Sequence, residues 1–224
     1  MDHFNSLAQN YDNLSYIKRH DINSTIELIK QIEPDLLRKK VLDIGCGTGR
    51  ITIALNDIGV NVTGIDNSSE MIKIAKSKKA GIFYEQDFYK IDNNEKYDVV
   101  ISMVGGVFGL INNIDSYIYE INLFFVKLNE VMTSNGIAII EFLNGSGVYK
   151  HVQEVEIENK MFYPKQGLVN SQEGFYEKAF LPSEIECYAY YNGFSKCVFF
   201  VRENEKKLIP YNINEVVGIV KLSK

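Results

Sequence analysis

The stretch "VLDIGCGTGR", residues 41–50, decides how the rest of the chain is read. An apolar run breaks into a turn carrying Gly45, Gly47 and Gly49, so a strand ends where bare main chain is offered to a ligand. Which ligand follows from the spacing. A dinucleotide fingerprint, G-x-G-x-x-G, requires a glycine where Arg50 stands. A P-loop requires a lysine directly after its last glycine, and none follows before Lys73. What remains is a ligand-binding turn in a site not organised around phosphate.

Working outward, strand and helix signals alternate. Before the turn, Ile22, Ile26, Ile29 and Ile32 recur at helical spacing and stop ahead of Pro34, which predicts an N-terminal helix. Strand one covers about 40–44 and is followed by a helix over about 49–57. "NVTGID" (61–66) is strand two, and Ser68 or Ser69 caps the helix after it. "IFYEQD" (82–87) and "KYDVVISM" (96–103) are strands three and four. A long helix is expected over 115–131, with Ile118, Ile121, Phe125, Leu128 and Met132 on one face, and "NGIAIIEF" (135–142) is strand five. Parallel strands need a helix's worth of chain between them, so the pattern predicts a doubly wound α/β fold around a mostly parallel sheet. A further helix over 182–192, closed by Gly193, precedes two strands near 196–202 and 215–221 that are expected to pair antiparallel. Residues 143–180 fit no simple strand–helix step and are expected to form an ordered insert.

At 224 residues the chain is expected to be one domain, with 1–38 as a helical cap and 143–180 as a substrate-binding insert. Hydrophobic residues make up 46% and charged residues 24%, the composition of a globular protein, and no apolar run is long enough to span a membrane. The opening "MDHFNSLAQNYDN" lacks the basic and apolar regions of a signal peptide. Cys46, Cys187 and Cys197 are an odd set with no C-x-x-C, which suits a reducing compartment and a cytoplasmic location. A net charge of -5 argues against nucleic acid as a partner, and the scattered lysine pairs read as solvated surface.

Ligands of open parallel sheets sit at the carboxyl ends of the strands, and three acids fall there or nearby. Asp66 ends strand two, where a carboxylate accepts hydrogen bonds from the hydroxyls of an adenosine ribose. Asp87, followed by Phe88, ends strand three, an arrangement that suits an adenine amine and ring face. Asp43 lies inside strand one. A lone aspartate at a strand end is more often a helix cap than a ribose ligand, but three together with the glycine turn favour a nucleoside.

With these residues in view, "VLDIGCGTGR", "VTGIDNSSEMIKIAK", "YEQDF" and "YDVVISM" resemble successive motifs of the class I S-adenosylmethionine-dependent methyltransferases, over about residues 8–142. The resemblance implies a Rossmann-like seven-stranded sheet whose last strand is antiparallel. It implies S-adenosylmethionine as cofactor and S-adenosylhomocysteine as product. By position, Gly45, Cys46 and Gly47 would flank the methionine part, Asp43 would anchor the turn, Asp66 with Asn67 would hold the ribose, and Asp87 with Phe88 would frame adenine. Ser102 and Met103 would lie beside the reactive methyl. Tyr11, in "NYDNL", would close over the cofactor or simply pack the N-terminal helix.

A sulfonium methyl is already activated, so alignment of the acceptor is the main task, worth on the order of 7 to 11 kcal/mol. A base is needed only for a protonated acceptor, and His151 in the insert is the candidate, although a loop histidine is more often a surface residue. The segment "SMVGGVFGL" after strand four lacks the Asn/Asp-Pro-Pro-aromatic motif that grips a planar amide or nucleobase, which disfavours DNA and glutamine acceptors. No metal-ligand spacing appears. Tyr149, Phe162, Tyr163, Phe175, Tyr176 and Phe180 either wall an acceptor pocket or fill a core. The expected activity is methyl transfer to an oxygen or nitrogen of a small molecule. The alternatives are a non-catalytic S-adenosylmethionine-binding sensor or scaffold and, less well supported by Arg50, a nicotinamide dehydrogenase.

Overall fold

The computed structural model describes residues 2–14, 21–79, 82–92, 94–103, 108–111, 113, 115–148, 162–163, 168–170, 176–204, 207–212, 215 and 217–224. Five parallel strands form the centre. They are β1 (Lys40–Ile44), β2 (Asn61–Asp66), β3 (Phe83–Glu85), β4 (Tyr97–Ser102) and β6 (Met132–Asn144), with β5 (Leu110–Ile111) lying off the main path. Two more, β10 (Lys196–Asn204) and β12 (Val217–Ser223), extend the sheet, and β12 runs antiparallel to both β6 and β10. The spatial order is β3, β2, β1, β4, β6, β12, β10, followed by an edge strand β11 (Lys207–Pro210). The sequence places seven strands, and β11 is the eighth. It arises from the polar link after β10, where "KLIP" folds back as a hairpin with Val201 opposite Ile209. Pro210 is tolerated because an edge position requires no donor on its outer side.

Burial on both faces explains why the strands read as continuous apolar runs. In β1, Val41 faces α2 (Ile22–Ile32) and α3 (Arg50–Asp57), whereas Leu42 and Ile44 face α5 (Tyr117–Val131) and α6 (Pro182–Tyr191). Between β2 and β3, α4 (Ser69–Lys78) packs Ile72 and Ala75 against Phe83. The helix starts follow local chemistry. Asp21 caps α2 by accepting from Ser24 N at 2.9 Å, and Ser68 caps α4 by accepting from Met71 N at 3.2 Å. One expected contact is corrected in α5: Ile118 is 57% exposed, and Phe124 takes its place in the core beside Ile121, Phe125 and Leu128. Ile118 lies in the first turn of the helix.

Three short strands come from the segment expected as an insert. These are β7 (Phe162–Tyr163), β8 (Leu168–Asn170) and β9 (Tyr176–Phe180). β9 joins β5 and β8 antiparallel and also returns to the main sheet, pairing parallel with the end of β6 through Leu143 and Ala179. At the N-terminus α1 (Asp2–Leu7) and a 3-10 segment (Ala8–Asn13) lie against α4.

Candidate active site

The glycine turn takes a conformation that side chains disfavour: Gly45, Gly47 and Gly49 have φ of 70°, 53° and 83°. Two backbone bonds fasten it to β2, from Gly45 N and Cys46 N to Ile65 O at 2.9 and 3.0 Å. The bare Cα of Gly47 faces Tyr11, whose Cε1 would stand 3.8 Å from a Cβ built there. A cleft opens beside this turn with about 390 Å³ of empty space, part of it continuous with solvent, and brings together Tyr11, Asp43, Gly45, Cys46, Gly47 and Met103. Ile22, Thr48, Arg50 and Ile51 complete the lining and are additions to the residues read from the sequence.

Asp66 is not among the lining residues but is bonded to the turn that forms them. Its Oδ2 accepts from Gly47 N and its Oδ1 from Ser68 N, each at 2.9 Å. Burial raises its pKa, and the N–H groups of Ser68, Gly47 and Asn67 counter that rise. A carboxylate offers about four acceptor sites, so both oxygens keep capacity for a ligand's hydroxyls. Ser68 is the cap of α4, which relieves Asp66 of the capping role open to it on sequence alone. Asn67 is exposed beside it.

Asp43 is buried at 3% exposure, and its Oδ2 accepts from Thr52 Oγ1 at 2.6 Å. Burial pushes its pKa up to about 7; the Thr52 hydroxyl opposes the rise, and the nearby Asp66 charge adds to it. The sign of the linkage follows from where protons sit. Between about pH 4 and 7 the folded carboxyl holds a proton that the unfolded chain has released. Stability therefore falls as pH rises through that window, by roughly 2 to 3 kcal/mol between pH 5 and 7. Urea midpoints at the two pH values should show this fall in the wild type and a much smaller one in Asp43→Asn. Equal pH slopes in the two proteins would defeat the assignment. Cys46 is also buried, and its thiol is held well above its ordinary range by burial and by the Asp43 and Asp66 charges, so it serves packing rather than nucleophilic chemistry.

The remaining sequence-derived residues are distributed differently. Asp87 caps a 3-10 turn (Phe88–Lys90), accepting from Tyr89 N at 3.0 Å, and lies 3.2 Å from Lys90 Nζ. Phe88 is 4% exposed, with its ring centroid 5.5 Å from that of Phe124, so its ring belongs to the core and is not an open wall. Phe180 is likewise core, stacked on Phe108 at 4.5 Å. Ser102 is buried at the end of β4, and its Oγ has no hydrogen-bond partner among the described residues. His151 lies outside the described residues, as do Tyr149 and Phe175. Among the described residues no group of three or more His, Cys, Asp or Glu is placed to hold a metal ion, and no helix is long and apolar enough to cross a membrane.

A family profile described as a methyltransferase domain matches residues 38–191, more than half of the chain. The chain belongs to the class I S-adenosylmethionine-dependent methyltransferases. Among the relatives of this methyltransferase, the malonyl-[acyl-carrier protein] O-methyltransferase of Bacillus cereus is 29% identical over 116 residues, covering 50% of this chain and 42% of its own. The ubiquinone biosynthesis O-methyltransferase of Rickettsia prowazekii is 28% identical over 156 residues, covering 64% and 58%. The chain thus spans about half the length of these curated relatives. The CcbJ methyltransferase of Streptomyces caelestis superposes with a TM-score of 0.73 at 18% identity, covering 98% of this chain and 96% of its own, which shows a common fold. The methyltransferase cofactor fits the residues present: a turn with three glycines at positive φ, a carboxylate bonded to that turn with acceptor capacity to spare, and a buried hydroxyl without a partner among the described residues lie at the carboxyl ends of β1, β2 and β4.

Proposed function

We propose that this methyltransferase transfers a methyl group from S-adenosylmethionine to an oxygen or nitrogen of a small-molecule acceptor. The observation that carries the reading is the convergence of Tyr11, Asp43, Gly45, Gly47 and Met103 on one cleft, with Asp66 bonded to Gly47 N behind it. When bound, the cofactor supplies a methyl group on a sulfonium, an electrophile that needs no further activation. The chain's part is to bind and align. Asp66 would offer acceptors to the ribose hydroxyls, Asp87 with the main chain at Phe88 would hold the adenine, and the glycine turn would admit the methionine part against bare main chain. Asp43 would brace the start of the turn through its bond with the Thr52 hydroxyl. Tyr11 covers the cleft and keeps water out. An acceptor that arrives protonated would give its proton to His151.

The two relatives named above are O-methyltransferases, which supports an oxygen acceptor; the aromatic content of 143–180 supports an organic one. Titration calorimetry is the direct test. S-adenosylhomocysteine should bind with micromolar affinity and NAD should give no heat. Absence of heat with S-adenosylhomocysteine would end the cofactor assignment. Release of S-adenosylhomocysteine in the presence of pooled metabolites would then separate an enzyme from a sensor, because a sensor releases none with any acceptor.

A further inference from the structure

We propose that Lys78 is a positioning residue that pins the N-terminal segment across the cofactor cleft and so sets how long the cofactor is retained. The inference rests on the cofactor reading above. Lys78 ends α4, and its Nζ donates to Asp12 Oδ2 at 2.5 Å and to the carbonyl of Thr48 at 3.0 Å. Thr48 Oγ1 donates to the other carboxylate oxygen of Asp12, also at 2.5 Å. One ammonium, one carboxylate and one threonine thus close a ring of hydrogen bonds between the 3-10 segment, the glycine turn and the end of α4. Arg50 adds positive charge near the same carboxylate.

The ring's place in the chain gives it its effect. Asp12 follows Tyr11, which lies over Gly47, and Thr48 follows Gly47, so the ring ties the covering residue to the surface it covers. A second attachment of the segment lies further back in the chain. Asn5 Oδ1 accepts from Ser68 Oγ at 2.6 Å and from Glu70 N at 3.3 Å, which fixes α1 to the start of α4, seven residues before Asp12. An exposed ion pair alone contributes little, and side chains of Lys78 and Asp12 are 35% and 39% exposed. Here the pair is reinforced by the Thr48 hydroxyl and carbonyl, so the expected effect is moderate and lies in the dissociation rate, because the segment must lift before the cofactor leaves.

Hydrogen–deuterium exchange on the ligand-free protein, with S-adenosylhomocysteine dissociation rates, tests this in Lys78→Met, Lys78→Arg and Asp12→Asn. In Lys78→Met, amides of residues 4–14 should lose protection while the urea midpoint stays near wild type, and S-adenosylhomocysteine should dissociate about three- to tenfold faster. Lys78→Arg should restore both, since a guanidinium can bridge the same carboxylate and carbonyl. Asp12→Asn removes the charge and keeps the shape, and should reproduce the faster dissociation if Lys78→Met folds poorly. Unchanged protection of residues 4–14, or lost protection with an unchanged dissociation rate, would overturn the proposal. A wild type that binds no S-adenosylhomocysteine overturns the cofactor reading and the coupling with it. Exchange in the ligand-free protein separates that outcome from failure of the pin itself.

Discussion

Replacing Asp66 by alanine should weaken S-adenosylhomocysteine binding by about tenfold to several hundredfold, because charge-assisted hydrogen bonds to both ribose hydroxyls are lost together. The structure adds a second consequence. Asp66 also accepts from Gly47 N and Ser68 N, so alanine leaves two part-buried donors without their carboxylate. Stability should fall by about 1 to 3 kcal/mol. The α4 cap itself survives, since Ser68 Oγ supplies it. Asp66→Asn keeps one acceptor oxygen and should lose less on both counts. Calorimetric affinity and urea midpoint measured on one preparation separate the two roles. A lowered midpoint with unchanged affinity would confine Asp66 to bracing the turn and remove the ribose assignment.

Gly49→Ala should cost about 3 to 5 kcal/mol of folding free energy. Two terms combine. The backbone at Gly49 has φ of 83°, where a Cβ is strained whatever space it finds. That Cβ would also stand 2.6 Å from Phe83 Cζ and 3.1 Å from Ala75 Cβ, and Phe83 is fully enclosed, so its ring has nowhere to retreat. The same change at Gly59, with φ of 92° and nothing within 4 Å, isolates the backbone term and should cost about 1 to 2 kcal/mol. Urea midpoints of the two variants check the argument. Equal losses would mean that close packing of Phe83 on the turn contributes nothing.

The sheet was legible in the sequence because its strands are buried on both faces and separated by capped helices. "KVLDI" and "NVTGID" admit few readings once followed by Gly45 and by the Ser68 cap. Strand β11 was hidden because its four residues sit in a polar link with a proline and gain their partner only after β10 has folded. The sharp turn after β1 was legible through its glycines, and the positions of Asp43 within β1 and Asp66 at the end of β2 through the strand pattern. Lys78 was not, since its contacts with Thr48 and Asp12 reach back 30 and 66 residues and no local pattern marks them. Phe88 shows the opposite difficulty: an aromatic after a strand-end acid reads as a ligand wall, and packing against Phe124 turns its ring inward.

Both borders of the sheet carry features that prevent another chain from adding to it. On one side β3 has only three residues, Phe83–Glu85, with Tyr84 and Glu85 exposed. On the other, β11 opens with a lysine and ends at Pro210, so a strand laid alongside would meet a charge at one end and a missing donor at the other. Apolar runs such as "IAIIEF" in β6 are prone to self-templating when unpaired, and here they lie several strands inside either border. The folded protein therefore withholds its most fibril-competent segment from its neighbours, and resistance to aggregation depends on the integrity of the two short outermost strands.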